Sequence, residues 1–303
     1  MKTLLEIFEH ELEYEPNILN HYQKMKNKLL ISFSGGRTSA YMLWWLINEW
    51  NDRYNWEIIV VFANTGKEAD GTLFFVDECS QEWDIPIVWV EAIPSEKGRG
   101  WAVNHKVVSY ETASRNGEPF EAMISRLGIP RTDEPFCSRQ LKSAAIESYL
   151  KDIGWSGYYR AIGIRIDENR IVDDYERKKY MYPLVHLNPV NKRQVSEWWM
   201  KQPFDLNIHP DDGNCDNCWK KDFPRLVRNM ARNPKSFEWW SKMELKYSFL
   251  NPRQNTLAPP FNFYRSNKSV LDIKKLAKMS QSELKQLSMF DVLDGCAESC
   301  EAF

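Results

Sequence analysis

The chain has 303 residues, of which 43% are hydrophobic, 14% aromatic and 27% charged, a composition that excludes wholesale disorder, collagen-like repetition and a small disulfide-stapled scaffold. Forty Lys plus Arg stand against 42 Asp plus Glu, a formal charge of −2, so no chain-wide basic field draws it to nucleic acid and any such contact needs a local patch. The opening residues lack the basic start and apolar run of a secretion signal, and the longest apolar stretch, Tyr41 to Ile47, is too short to cross a bilayer. A cytoplasmic protein with no membrane partner is expected, and its six Cys are read there as reduced, metal-bound or redox-active.

Residues 1–27 read as a polar, amphipathic helical lead-in. Lys28 to Ser34 is a short apolar run stopped by Gly35-Gly36, the pattern of a buried strand. Thr38 or Ser39 caps the helix that follows, Ala40 to Trp50. A second apolar strand, Glu57 to Ala63, ends at Asn64-Thr65-Gly66; a helix over about 70–83 leads to a third strand, Ile85 to Glu91, and carries Cys79 as a core thiol. Residues 93–136 read as loop-rich, and Tyr158 to Ile164 is a fourth strand. Strands alternating with helices predict an α/β fold, a doubly wound, mostly parallel sheet with helices on both faces. The plan is a lead-in over 1–27, an α/β domain over 28–205 and a smaller, mainly helical, Cys-containing region over 206–303. The pairs Trp44-Trp45, Trp198-Trp199 and Trp239-Trp240 are expected on packed helix faces.

Between the first strand and first helix lies Ser34-Gly35-Gly36-Arg37-Thr38-Ser39. Two glycines let the backbone turn tightly and aim several N–H groups into one concavity, the helix N-terminus adds positive potential, and Thr38 and Ser39 add hydroxyls. That is an anion cradle at the carboxyl end of a strand, where open α/β sheets bind ligands. It is not a Walker A loop, and a Gly-Gly turn taken alone is an ordinary strand-to-helix turn; its context favours the cradle.

Four segments, with others in register, supply that context. Ser32-Phe-Ser-Gly-Gly-Arg-Thr-Ser39 resembles the pyrophosphate loop of the PP-loop ATP pyrophosphatase superfamily, the adenine-nucleotide alpha-hydrolase-like group that includes phosphoadenosine phosphosulfate (PAPS) reductases and DndC-like sulfur-transfer proteins. Thr65-Gly66-Lys67-Glu68 with Thr72 is similar to its second-strand motif, Cys137 to Lys142 to its Cys…Lys segment, and Gly163 to Glu168 with Arg170 to its G-x-R-x-x-E-x-x-R segment. Tyr182-Pro183-Leu184, Trp198 and Gly213 to Cys218 continue the order, so the likeness covers roughly residues 28–220. The resemblance implies that Ser34, Gly35, Gly36, Arg37, Thr38, Ser39, Thr65, Gly66, Glu68, Arg165 and Arg170 bind ATP or another adenine nucleotide with Mg2+, and that Lys142 serves the reaction. Arg139 joins these cations as an even choice between ligand contact and surface, and Glu68 and Asp167 read equally as solvated carboxylates or as holders of magnesium or ribose hydroxyls. One residue departs from the pattern: Arg37 stands where the family usually carries Asp, and a guanidinium suits direct contact with phosphate or sulfate oxygens.

Cys215-Asp-Asn-Cys218 is a C-x-x-C loop among turn formers, a spacing that points two thiolates the same way for zinc, an iron–sulfur cluster or a disulfide. The relatives that hold a cluster use a Cys-Cys pair in the Cys…Lys segment; here Phe136 takes the first place, leaving Cys137, Cys215 and Cys218 as ligands of a [4Fe-4S] cluster or of Zn2+, with Cys296, Cys300 or His209 as a fourth. Cys296 and Cys300, four residues apart, read either as an unremarkable tail or as a mobile thiol pair, with Cys137 and Cys300 as catalytic thiols. Residues 220–235 hold six cations and a single Asp222, with Arg225, Arg228 and Arg232 on one helix face: a solvated surface, or a nucleic-acid-binding stripe. The function implied is adenylation of an acceptor with pyrophosphate release, for sulfur transfer from a donor. The alternatives are a PAPS-type sulfonucleotide reductase served by a thioredoxin-like reductant, and a non-catalytic nucleotide-binding module.

Overall fold

A computed structural model describes residues 28–96, 102–131, 135–168, 179–252 and 257–279; the expected lead-in lies outside them. Six strands form one sheet: β1 (Lys28–Phe33), β2 (Glu57–Asn64), β3 (Ile87–Pro94), β4 (Val103–Val108), β5 (Tyr158–Ala161) and β6 (Tyr180–Met181), in the order β4-β3-β2-β1-β5-β6. β5 runs parallel to β1, Lys28 facing Tyr158 and Ile31 facing Ala161, and β6 parallel to β5. β4 lies antiparallel to β3, with Trp89 opposite Val108. β1 is buried from Leu29 to Phe33, as an apolar run covered on both faces must be.

Two elements lie where the sequence reads as loop. β4, Val-Asn-His-Lys-Val-Val, alternates only in part and shows an edge-strand face to solvent, so its pattern is too polar to be read as a buried strand. Helix α4 (Glu118–Leu127) stands between Gly117 and Gly128 and buries Phe120, Met123, Ile124 and Leu127, the i, i+3, i+4, i+7 face of a single helix. The fourth strand ends at Ala161, three residues short of its expected end.

The first helix, α1 (Arg37–Trp45), begins directly after the glycines, continues through a π-helical stretch at Leu46–Trp50 into α2 (Asn51–Tyr54), and stops at Asn55 with φ 50°. α3 (Asp70–Glu82) follows β2, and a π-helical stretch, Cys137–Ser143, opens α5 (Ala144–Asp152). Beyond β6 come α6 (Pro183–His186), α7 (Lys192–Trp199), α8 (Phe223–Arg232), α9 (Glu238–Tyr247) and α10 (Val270–Leu276). Among the described residues no helix is long and apolar enough to cross a membrane.

The chain divides into two compact units interleaved along its length, the first including Arg37–Val61 and Trp155–Asp205, the second Ser34–Gly36, Phe62–Gly154 and the residues from Leu206 on. β2 passes from one to the other between Val61 and Phe62. In the first unit Trp198 packs at a tilt against Trp44 at 5.0 Å and meets Trp199 edge-on at 4.8 Å, while Ile162, Ile164 and Tyr182 form a buried cluster. In the second, Phe62 packs on Trp89 at 4.8 Å and Trp240, fully buried, on Phe263 at 4.8 Å. Each expected Trp pair thus supplies a buried ring or ring contact, a large apolar area per residue. Glu244, on α9, is buried and its carboxylate accepts the N–H groups of Phe263 (3.1 Å) and Val270 (2.9 Å). Burial pushes its pKa up to about 7 against those two hydrogen bonds.

Candidate functional site

The turn between β1 and α1 is built as its glycines require. Gly35 has φ +75°, and a Cβ there would lie 2.7 Å from Thr72 Cγ2; a Cβ on Gly36 would press within 3.1 Å of the Asn214 amide nitrogen. A side chain at residue 35 would be strained and would collide. The first turn of α1 carries no acidic side chain, so its N-terminal N–H groups present undiminished positive potential.

In the first unit, Arg37 aims its guanidinium at Asp205 as a two-point fork, Nε to Oδ1 at 2.6 Å and Nη2 to Oδ2 at 2.7 Å, and its carbonyl accepts the Trp199 indole N–H at 2.9 Å. Arg165 is buried and donates from Nη1 to Thr38 Oγ1 at 2.8 Å. It also pairs with Asp167 at 3.0 Å and Glu168 at 3.2 Å. Burial works against the Asp167 carboxylate, but the Lys192 N–H and the Arg165 charge outweigh it and hold its pKa below the usual range. Arg165 therefore orients the Thr38 hydroxyl while its charge is balanced in place. Ser39 is buried one residue further on.

In the second unit, the turn Thr65-Gly66-Lys67-Glu68 follows β2. Glu68 Oε2 accepts the Thr65 N–H at 2.7 Å and its hydroxyl at 2.8 Å, and Oε1 lies 3.5 Å from Lys142 Nζ; both charged groups are buried. Glu68 is thus not a solvated carboxylate. Gly66 donates its N–H to Asn64 Oδ1 at 3.0 Å, and the Asn64 amide in turn donates to buried Glu91 at 2.7 Å. Glu91 also receives Ser114 N–H (2.6 Å) and Oγ (2.9 Å).

The C-x-x-C loop docks on that turn through an isolated antiparallel bridge. Ala69 donates to the Asn214 carbonyl at 2.9 Å, Asp216 donates to the Lys67 carbonyl at 2.6 Å, and Glu68 bridges Cys215 in antiparallel fashion. Lys67 lies 3.8 Å from the Asp216 carboxylate, whose pKa burial raises in spite of Lys67 and Lys221. Cys137, Cys215 and Cys218 are partly buried thiols not joined in disulfides, and Ser138 next to Cys137 accepts a hydrogen bond from Lys220 at 3.0 Å. Cys79 is a buried thiol whose pKa is driven far up by burial.

Among the described residues no group of three or more His, Cys, Asp or Glu is arranged to hold a metal ion, so Cys137, Cys215 and Cys218 are not gathered into a ligand set, and His209 Nδ1 already accepts the Asp211 N–H at 3.1 Å. Arg170, Cys296 and Cys300 lie outside the described residues. The expected basic face on α8 is matched residue for residue: Arg228 grips Asp211 at 2.6 Å, Arg232 pairs with Asp212, and Arg225 with Asp222 at 3.5 Å. The first two pairs fasten the residues just ahead of the Cys loop to α8, while Asp222 is the cap of α8 itself.

Sequence reasoning missed Asn214, Asp205, Asn64 and Glu91. Glu91 had a signal, as the lone charge in the apolar run Ile87 to Pro94, and so did Asn64, a polar residue closing β2. Asn214 and Asp205 had none, because their partners lie 180 and 168 residues away.

This geometry defines an α/β protein with a glycine turn at the carboxyl end of a mostly parallel sheet's inner strand. Compared with known proteins, the chain is 30% identical over 283 residues to an uncharacterised nin region protein, ORF290, of Escherichia phage lambda, covering 90% of this chain and 94% of that protein. It belongs to that protein's family. It is also 22% identical over 249 residues to an uncharacterised protein of the archaeon Methanocaldococcus jannaschii, covering 78% of this chain and 46% of that protein. No family model and no solved structure matches the chain.

Proposed function

We propose that the turn Ser34–Ser39 binds the phosphoryl chain of an adenine nucleotide, and that the protein uses ATP, brought as its magnesium complex, to adenylate an acceptor. The observation that carries this reading is the turn itself: Gly35 at φ +75° delivers β1 straight into a helix N-terminus free of acidic side chains. Thr38, held by Arg165, offers a hydroxyl beside it. The adenosine moiety and the adenylating chemistry rest on the likeness of the segments at Ser32–Ser39, Thr65–Thr72, Cys137–Lys142 and Gly163–Glu168 to the PP-loop superfamily. In the same reading the sheet is doubly wound, with helices on both faces.

An acceptor oxygen attacks the α-phosphorus, the bond to pyrophosphate breaks, and pyrophosphate leaves with its charge held by the turn's N–H groups. A sulfur donor then displaces AMP from the activated acceptor. Calorimetry with ATP and with pyrophosphate, followed by pyrophosphate release across nucleic-acid and small-molecule acceptors, tests the reading. Binding and acceptor-dependent release are expected; neither ligand binding would overturn it, and binding without release under any acceptor would leave a nucleotide-binding module instead.

A further inference from the structure

The geometry points to Asn214 as the residue that positions the phosphate turn, and through it to a linkage between that turn and the thiols of Cys215 and Cys218. Asn214 is bonded to two turns at once: its carbonyl accepts from Ala69, and its side-chain amide donates to the buried Ser34 carbonyl at 2.8 Å. That amide fills the space a Cβ on Gly36 would need, so the glycine and the asparagine are fitted to each other. Asn214 is itself 6% exposed, which leaves neither partner an alternative bond to water.

The next residue, Cys215, bridges Glu68, whose carboxylate shapes the Thr65 turn, and its carbonyl accepts from Lys221 Nζ at 3.1 Å. On its far side the loop is pinned by Asn217 to Ser236 Oγ at 2.6 Å and by Arg228 on Asp211. A loop held on both flanks does not absorb a group added to its sulfur; the displacement passes through Asn214 to Ser34 and Gly36. What changes the thiols therefore changes the turn, and an occupant of the turn changes the thiols by the same coupling. The ligand arm of this inference rests on the phosphate reading above; the arm without ligand does not.

The test uses the full, reduced chain as wild type, Asn214→Ala and Asn214→Ser, with Asn217→Gly as the control that loosens the loop from Ser236 and Asn229 and leaves Asn214 in place. Amide exchange at residues 34–36 and the rate of iodoacetamide labelling at Cys215 and Cys218 are read by mass spectrometry, with and without pyrophosphate. Loss of one buried hydrogen bond is expected to speed exchange at 34–36 about tenfold in both Asn214 variants, with faster Cys215 labelling, and to weaken pyrophosphate about tenfold. In wild type pyrophosphate slows Cys215 labelling, and prior labelling weakens pyrophosphate; in the Asn214 variants both effects vanish. Asn217→Gly speeds labelling and leaves exchange at 34–36 unchanged. Unchanged exchange at 34–36 in Asn214→Ser, or thiol labelling indifferent to a pyrophosphate that binds, overturns the linkage. A wild type that binds no pyrophosphate sinks the phosphate reading instead, and the exchange arm still decides the role of Asn214.

Discussion

Glu244 is a buried carboxyl group satisfied by two backbone N–H groups. Folded, it keeps its proton to about pH 7, whereas an unfolded glutamate releases it near 4.5. Between those values the folded chain binds more protons, so the stability Glu244 contributes is complete below about 4.5 and falls by about 3 kcal/mol as pH rises through 7. Glu244→Gln is expected to flatten that part of the urea-unfolding profile; an unaltered slope would mean the carboxyl is not the source. Lys142 and Glu68 make the opposite case, a buried pair in which each charge requires the other. Lys142→Met should lower stability by about 3 kcal/mol by leaving Glu68 unmatched, and adding Glu68→Gln should restore much of it, a non-additivity that a double-mutant cycle measures directly.

Helix α7 is closed at its start by a reciprocal cap: Asn191 Oδ1 accepts the Gln194 N–H at 3.0 Å and Gln194 Oε1 accepts the Asn191 N–H at 2.9 Å. Asn191→Ala should cost about 1 kcal/mol in chemical denaturation. The helix matters because its last residue, Trp199, holds the Arg37 carbonyl. At this scale the sequence was legible where chemistry is local: β1 and β2 are apolar runs cut by turn formers, and the glycine turn lies at the end of the first. It was illegible where pairing is distant or the pattern polar. β4 hides because a half-solvated edge strand needs no continuous apolar run, and α1 starts at Arg37, before the expected caps, with the Thr38 hydroxyl accepting from Arg165, 127 residues away. The arginines of α8 read as a stripe because nothing near them in sequence announces that Asp211 and Asp212 fold back onto Arg228 and Arg232.

At the scale of the molecule, the two units share β2, whose first five residues belong to one and last three to the other. A strand cannot be lost from one and kept whole in the other, so urea unfolding followed by tryptophan emission and by far-ultraviolet dichroism should give coincident single transitions; separated midpoints would show that β2 yields in halves. The Arg37–Asp205 fork carries a different consequence. With Arg37 matched to Asp205 and Arg165 to Asp167 and Glu168, these two cations at the start of α1 have their countercharges built in. Capture of an anion there falls to oriented peptide dipoles, whose reach is short. Pyrophosphate affinity should therefore hold within about threefold as ionic strength rises from roughly 0.05 to 0.5 M, where attraction to bare charges would be screened away.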